Sequence, residues 1–220
     1  MKVLKSFIWK ILQQYSTAFL KLIFQVILAR ILSPNEFGIL AEMLVFISVA
    51  EAFSNGGLGT ALIQNKKADE LDFGTAIVSS FLISIAFYFV VFFTAPRIAN
   101  FYDEKALIEL MRVFGLAIPF YSFNSIQNAF LLKKYETKVM FISSFSTTLL
   151  SGVIAVFFAL KGCGAFSLVL QNLLSMVGNV MVLQILYKWR PKIMFSKDRF
   201  KALFSFSWKI VVSGVFASLL

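Results

Sequence analysis

The sequence predicts an all-α integral membrane protein, and three observations carry that prediction. First, 59% of the 220 residues are hydrophobic and only 15% are charged, whereas soluble domains carry about 25% charged residues. Second, the chain consists largely of apolar runs close to the roughly 20 residues that a spanning helix needs. Third, lysine and arginine are concentrated in alternate gaps between those runs. A chain of this composition cannot cover a globule with polar surface.

Six complete apolar runs and one incomplete run are predicted to be spans. They cover residues 11–29, 37–63, 73–95, 113–132, 139–160 and 162–187, and the seventh runs from about 202 to 220. Helices are expected because backbone groups in lipid must bond within their own segment, and because the runs do not alternate as barrel strands do. The first run is interpreted as a retained span, since no small-residue cleavage site follows it.

The orientation is predicted from the basic residues of the short loops. Most of them lie in segments 2–10, 66–67, 133–138 and 188–201, which fall on one side if every run spans. The opposite side carries only Arg30, Arg97, Lys105 and Lys161. The first group is therefore predicted to be cytoplasmic, together with the N-terminus, and the regular alternation supports the number of spans.

Local signals predict where two helices begin and where one is interrupted. Ser33, Pro34 and Glu36 have the spacing of a capping box, so the second helix is expected to start at Pro34. Gly56 and Gly57 lie inside the second run and indicate close packing or a flexible break. Ser196 is predicted to cap an amphipathic interfacial helix that leads into the seventh run.

The composition excludes several kinds of site. The chain has no histidine and a single cysteine, Cys163, which removes the commonest metal ligand and any internal disulfide. Neither a phosphate-binding loop motif nor a nucleophile motif is present, and the loops are too short for a catalytic domain. We therefore predict no enzyme activity, no metal and no cofactor. Because the positive charge follows the loops, nucleic acid is not predicted as a partner.

Polar residues within the first two spans predict a polar interior. Gln14, Lys21 and Gln25 share one face of the first helix at i, i+7 and i+11. Glu51 and Asn55 share one face of the second helix. A charge near the middle of a membrane costs at least ~2.5 kcal/mol on insertion scales, so such residues usually face a cavity or a partner.

Two further spans add candidates for the same cavity. The predicted contacts with an anionic or sugar substrate include residues of the fourth and sixth spans: Arg112, Asn124, Gln127, Asn172 and Asn179. Two alternatives remain open at this point. Lys21 and Glu51 can pair with each other inside the bundle, and Glu109 with Arg112 can form an exposed i, i+3 pair. The Ser/Thr stripe of the fifth span is interpreted mainly as close helix packing.

Four segments resemble the Wzx-like polysaccharide-exporting branch of the multidrug/oligosaccharidyl-lipid/polysaccharide transporter superfamily. Residues 29–38 (ARILSPNEFG) are similar to that family's first outer turn, and residues 53–64 (FSNGGLGTALIQ) to the end of its second helix. Residues 162–169 (GCGAFSLV) resemble the start of its sixth helix, and Trp189-Arg190-Pro191 with Phe195-Ser196 its linker into the seventh. The resemblance is nearest to the colanic-acid type of exporter.

The resemblance implies two six-helix lobes around a central cavity. Residues 1–187 would form the N-terminal lobe, 188–203 a basic cytoplasmic linker with an interfacial helix, and 204–220 the truncated start of the second lobe. It implies an undecaprenyl-diphosphate-linked oligosaccharide as substrate, flipped across the bacterial inner membrane by alternating access. The implied partners are this lipid, the bilayer and the machinery of polysaccharide polymerases and glycosyltransferases.

Two other functions remain open on the sequence. A multidrug or cation antiporter of the same superfamily should have more carboxylates than cations in its cavity. A membrane-embedded enzyme of glycan assembly should have a large outer loop, whereas the outer loops here are predicted to be short.

Overall fold

The computed structural model describes residues 2–55, 57–65, 67–189, 191–205 and 207–208. Within these ranges the chain is helical and contains no β-strand. Residues 197–205 are also helical. The helices before the linker are α1 (Lys2–Ala29), α2 (Pro34–Asn55), α3 (Leu58–Gln64), α4 (Glu70–Phe101), α5 (Ala106–Gly115), α6 (Ala117–Lys133), α7 (Thr137–Leu160) and α8 (Ala165–Tyr187).

Six segments are long and apolar enough to cross a membrane, which confirms the all-α class and the first six predicted spans. They are α1, most of α2, α4, the pair α5 and α6, α7, and α8. The predicted seventh span, 202–220, lies largely outside the described residues.

The second predicted span is not one continuous helix. The run predicted over 37–63 is divided between α2 and α3 at Gly57, whose φ of 65° lies in the left-handed region. Only glycine adopts that conformation without a steric cost. The break that the two glycines indicated in the sequence is therefore present, and α3 leaves the line of α2 to pack on α6.

The fourth span changes geometry one turn before its proline. α5 ends at Gly115, and α6 begins after Leu116, which is the residue between them. In a continuous helix the carbonyl of Gly115 would accept from the N–H of residue 119, but Pro119 has no N–H. The missing donor explains the interruption, which lies upstream of the proline itself.

Close approach of helices depends on small residues at two positions. A Cβ on Gly152 of α7 would collide with the ring of Phe24 on α1. A Cβ on Gly178 of α8 would lie 3.2 Å from Thr147 on α7. Small residues at such crossings let backbones approach, which is the main source of packing between helices in lipid. These contacts hold α1, α7 and α8 together as a layer.

The segments rich in lysine and arginine meet at one end of the bundle, which we call the basic end. The hydroxyl of Thr137 donates to the carbonyl oxygen of Ser6 over 2.9 Å. The amine of Lys133 donates to the carbonyl oxygen of Asn65 over 2.5 Å. These bonds join the N-terminal part of α1 and the loops after α3 and α6. The fold thus agrees with the grouping of basic segments; which side of the membrane this end faces remains a prediction.

The two predicted helix starts are present. The backbone N–H of Ser33 donates to the Glu36 carboxylate over 2.5 Å, and α2 begins at Pro34. The hydroxyl of Ser196 accepts from the N–H of Arg199 over 3.5 Å at the start of the helical residues 197–205.

The first turn of α4 is an acidic cap that also holds the basic linker. Asp69 and Asp72 form a reciprocal capping box, with bonds of 2.9 and 3.2 Å. Arg199 contacts both carboxylates, at 3.2 Å from Asp72 and 3.4 Å from Asp69. Lys192 pairs with Glu70 at 2.7 Å. Asp69 and Asp72 therefore serve both the helix cap and the linker contact. Together with Glu70, we call them the α4 cap.

We expect Asp72→Asn to destabilise the protein by about 1–2 kcal/mol. Asp72 is only 2% exposed, and the substitution removes the carboxylate that faces Arg199 and weakens the capping box. The measurement is thermal unfolding of the intact protein in detergent. Glu109→Gln is the matched control, because Glu109 is exposed at the opposite end. Equal midpoints for the two variants would contradict the role of the α4 cap.

The α4 cap should be insensitive to pH through the neutral range. The N–H of Asp72 and the charge of Arg199 hold the pKa of Asp69 below its ordinary 3.8, although partial burial opposes them. A hydrogen bond from Lys192 to Glu70 and the charge of that carboxylate hold the pKa of Lys192 above 10.5. The Asp69 contribution is lost only as pH falls below 3.8, and the Lys192 contribution only as pH rises above 10.5.

The unfolding midpoint of the intact protein and that of Lys192→Met should therefore differ by a constant amount between about pH 5 and 9. A difference that changes steadily within that window would mean that another group controls the contact.

Candidate functional site

A cavity of 170 Å³ opens among α1, α2, α6, α7 and α8. We call it the Lys21 cavity. Its walls combine one amine with amides, hydroxyls and a phenol on an otherwise apolar surface. The lining residues are Lys21, Gln25, Phe37, Leu40, Tyr121, Thr148, Ser151, Leu168, Gln171, Asn172, Ser175 and Met176.

Lys21 provides the only charged side chain among the lining residues that the structure describes. Gln25 lies one turn further along α1 and lines the same wall, as the spacing in the sequence predicted. No ion pair joins Lys21 to a carboxylate of the described residues. An amine beside neutral donors and acceptors, with no carboxylate in the wall, is suited to an anionic guest.

Lys21 and Glu51, whose pairing the sequence left open, lie at different depths of the bundle. Lys21 is eight residues from the end of α1, and Glu51 is seventeen residues from the start of α2. At about 1.5 Å per residue, the two lie at depths of about 12 and 26 Å from the same end of the bundle. Tyr121 of α6 lines the cavity and lies within electrostatic reach of Glu51.

The wall from α7 and α8 carries hydroxyls and amides. Asn172 donates to the carbonyl oxygen of Leu168 over 2.9 Å within α8, so its amide oxygen remains available as an acceptor. Ser151 donates to the carbonyl oxygen of Thr148 over 3.2 Å. The hydroxyl of Ser151 is thus satisfied within its own helix, and Ser151 also lines the cavity together with Thr148.

Asn124 and Gln127 lie behind the wall. Asn124 is 5% exposed, donates to the sulfur of Met176 over 3.1 Å and accepts from Asn128 over 2.6 Å. Gln127 is 1% exposed, and its amide oxygen is buried without a hydrogen-bond partner among the described residues. Asn124 thus supports a lining residue and is not itself part of the lining.

Asn179 belongs to a second polar cluster, nearer the basic end. Its amide donates to the hydroxyl of Ser144 over 3.1 Å, and its oxygen accepts from Ser143 over 3.2 Å. Ser144 also accepts from Gln13 over 2.7 Å, and Gln13 in turn accepts from Lys10 over 3.0 Å. This polar chain joins α1, α7 and α8 below the Lys21 cavity.

Two further predicted site residues, Arg112 and Gln14, lie outside the lining of the cavity. The guanidinium of Arg112 lies 4.3 Å from the centroid of Phe92 on α4, and Arg112 does not line the cavity. Gln14 is exposed on α1 and is likewise absent from the lining. The side chain of Asn55 lies outside the described residues.

Two functional candidates were missed on the sequence. The sequence does not predict Gln13, because only its neighbour Gln14 shares a helical face with Lys21. Adjacent residues of a helix point about 100° apart. Tyr121 follows Pro119 by two residues among several polar side chains. Its position in the fourth span was a weak signal, because tyrosine is common in membrane helices without any role in a site.

Residues 27–220 match the family described as polysaccharide biosynthesis protein. The chain belongs to this family. The resemblance to polysaccharide exporters that the sequence indicated is thereby confirmed. The match covers α2 to α8, whereas Lys21 and Gln25 of α1 precede it.

Three relatives are similar to parts of this chain. The chain is 27% identical over 207 residues to the succinoglycan biosynthesis transport protein ExoT of Rhizobium meliloti (strain 1021), covering 94% of this chain and 42% of ExoT. It is 29% identical over 98 residues to the lipopolysaccharide biosynthesis protein WzxC of Escherichia coli (strain K12), covering 44% and 20%.

A Klebsiella pneumoniae relative is named as an uncharacterized membrane protein in the cps region. It is 23% identical over 161 residues, covering 70% of this chain and 33% of the relative. The chain therefore spans less than half the length of these relatives. No solved structure matches it significantly.

Gln13→Ala should destabilise the bundle by about 1 kcal/mol, whereas Gln14→Ala should have little effect. Gln13 bridges Lys10 and Ser144, and its loss removes one of the two hydrogen bonds that the partly buried hydroxyl of Ser144 accepts. The two variants are matched neighbours, and thermal unfolding of the intact protein compares them. A larger loss for Gln14→Ala would show that the face of α1 facing α7 has been misassigned.

Proposed function

We propose that this chain is the N-terminal lobe of an exporter that moves undecaprenyl-diphosphate-linked oligosaccharides across the bacterial inner membrane. The observation that carries the proposal is the Lys21 cavity, in which one amine and several neutral polar groups face a guest without any carboxylate in the described wall. A diphosphate linked to a sugar presents matching groups, since the diphosphate is anionic and the sugar carries hydroxyls.

Lys21 is proposed to contact the diphosphate or an acidic sugar, because its amine offers charge-assisted hydrogen bonds. Gln25 and Asn172 are proposed to contact sugar hydroxyls. Glu51 is proposed to couple to the site through Tyr121. Asn124, Gln127 and Asn179 are proposed to position the walls. Arg112 and Gln14 are retained only as contacts for a part of the substrate outside the cavity.

Alternating access is the proposed mechanism, with a second lobe facing this one across the cavity. The exposed side chains of Lys21 and Gln25 on α1 support this mechanism, because a polar face exposed within a spanning helix needs a partner or water. The basic end is proposed to be cytoplasmic from the bias of lysine and arginine. The names of ExoT and WzxC agree with a role in surface polysaccharide assembly, where polymerases and glycosyltransferases are proposed partners.

Lys21→Ala should lower polysaccharide export by the intact protein about tenfold or more, since a hydrogen bond to a charged group contributes about 1.5–3 kcal/mol. Lys21→Arg should restore part of the export. Surface polysaccharide and accumulated lipid-linked intermediate are measured in cells that lack their own exporter. Lys105→Ala is the control, because Lys105 is exposed at the end of the bundle opposite the basic end.

Unchanged export by Lys21→Ala, at equal membrane abundance, would remove Lys21 from the mechanism. If the intact protein instead raised resistance to cationic drugs and failed to restore polysaccharide, the antiporter alternative would replace the proposal. If purified protein lengthened a glycan on its lipid carrier, the enzyme alternative would replace it.

A further inference from the structure

A second and larger pocket lies at the basic end, apart from the Lys21 cavity. Its volume is 540 Å³, which is within the usual range of about 300–1,000 Å³ for small-molecule sites. The two share no lining residue. We call it the linker pocket, because its walls come from the start of α4, the end of α6 and the segment after α8. The lining residues are Ala68, Asp69, Glu70, Phe73, Phe130, Lys133, Lys134, Trp189, Pro191 and Lys192.

One wall of the linker pocket is a fixed group of rings. Phe130 stacks on Trp189 with centroids 4.4 Å apart and planes at 14°. Phe73 meets both rings edge-on, at 5.4 Å from Phe130 and 5.9 Å from Trp189. Each ring of the group limits the movement of the others, so the first residues of the linker are held against the membrane-spanning bundle.

The carboxylates of the linker pocket are already compensated. Glu70 pairs with Lys192 at 2.7 Å. Asp69 pairs with Arg199 at 3.4 Å and caps α4. Both acids therefore have a cationic partner in the linker, and they contribute little net negative charge to the pocket.

Two amines of the linker pocket, those of Lys133 and Lys134, form no ion pair with the described residues. Asp72, which already pairs with Arg199, attracts the amine of Lys133 from beyond ion-pair distance. Lys133 uses one donor on the carbonyl oxygen of Asn65. The amines also lie 5.7 Å from the centroids of Phe73 and Phe130, respectively. An ammonium has three donors, so each retains capacity for an anionic group.

The pocket lies where a lipid headgroup would be. Lys133 ends α6, and Glu70 begins α4, so both mark the limits of spanning helices. Basic pockets between membrane helices are suited to phosphate-bearing headgroups. Rings beside the amines provide an apolar surface for the glycerol, isoprenoid or sugar part that adjoins a phosphate.

We propose that the linker pocket binds the phosphate-bearing headgroup of a lipid in the adjacent leaflet, with Lys133 and Lys134 as its cationic contacts. The headgroup belongs either to a polyprenyl-diphosphate lipid or to an anionic phospholipid of the bilayer. The inference does not require transport. Because the ligand would touch the linker and α4 together, its binding would also stabilise the contact between them.

The test is native mass spectrometry of the intact protein in neutral detergent, titrated separately with undecaprenyl diphosphate, dioleoyl-phosphatidylglycerol and dioleoyl-phosphatidylcholine. Lys133→Gln/Lys134→Gln should weaken binding of at least one anionic lipid about tenfold or more. Binding of the zwitterionic phosphatidylcholine should not change. Lys133→Arg/Lys134→Arg retains the charge and should retain binding, which separates loss of the contact from loss of the fold.

Lys105→Gln/Lys161→Gln is the matched control, since both lysines are exposed at the opposite end. Weaker binding of the diphosphate alone assigns the pocket to the polyprenyl lipid, and weaker binding of phosphatidylglycerol assigns it to the bilayer. The proposal is overturned if the Lys133/Lys134 double variant binds both anionic lipids as the unmodified protein does, or if the control variant loses binding equally.

Export measurements keep this inference separate from the proposed function. If Lys21→Ala abolishes export while the Lys133/Lys134 variant loses lipid binding but still exports, both conclusions hold. If Lys21→Ala leaves export unchanged while lipid binding still depends on Lys133 and Lys134, the proposed site fails and the linker pocket stands.

Discussion

Each backbone N–H and C=O group in a membrane span must form a hydrogen bond without water, and this requirement controls the structure of the chain. In lipid an unpaired N–H or C=O costs several kcal/mol, and the described spans meet this requirement by forming helices. Where a helix is interrupted, the chain has a physical reason. Gly57 takes a left-handed conformation between α2 and α3, and Pro119 removes the donor that Gly115 would have used.

The same requirement governs the polar side chains inside the bundle. Many serine and threonine hydroxyls of the described helices donate to carbonyl oxygens of their own helix, as Thr147 does to Ser143 over 2.8 Å. Groups that cannot be satisfied in this way meet across helices, as Gln13, Ser144 and Asn179 do. Others, including Lys21, Gln25 and Asn172, face the Lys21 cavity. The cavity is thus one part of the bundle where polar side chains can meet a guest.

Charge is distributed differently at the two candidate sites. The Lys21 cavity has one amine and no carboxylate in its described wall. The linker pocket contains two acids that pair with the linker, and two amines, Lys133 and Lys134, that form no ion pair with the described residues. Arg199 and Lys192 of the linker contact the carboxylates of the α4 cap, and these contacts hold the linker against the bundle. The α4 cap therefore determines both where the linker lies and what charge the linker pocket presents.

The sequence by itself determined the helical class, the first six spans, the grouping of basic loops and the family resemblance. Length, hydropathy and loop charge are local quantities, and the membrane restricts them to few structural solutions. It also predicted that Lys21, Gln25 and Asn172 face a cavity, and all three line the Lys21 cavity. Only the tertiary structure decided which faces meet: Arg112 lies against Phe92, Gln13 bonds to Ser144 of α7, and Tyr121 lines the cavity. These outcomes depend on the rotation and depth of each helix against its neighbours, which periodicity along one helix does not specify.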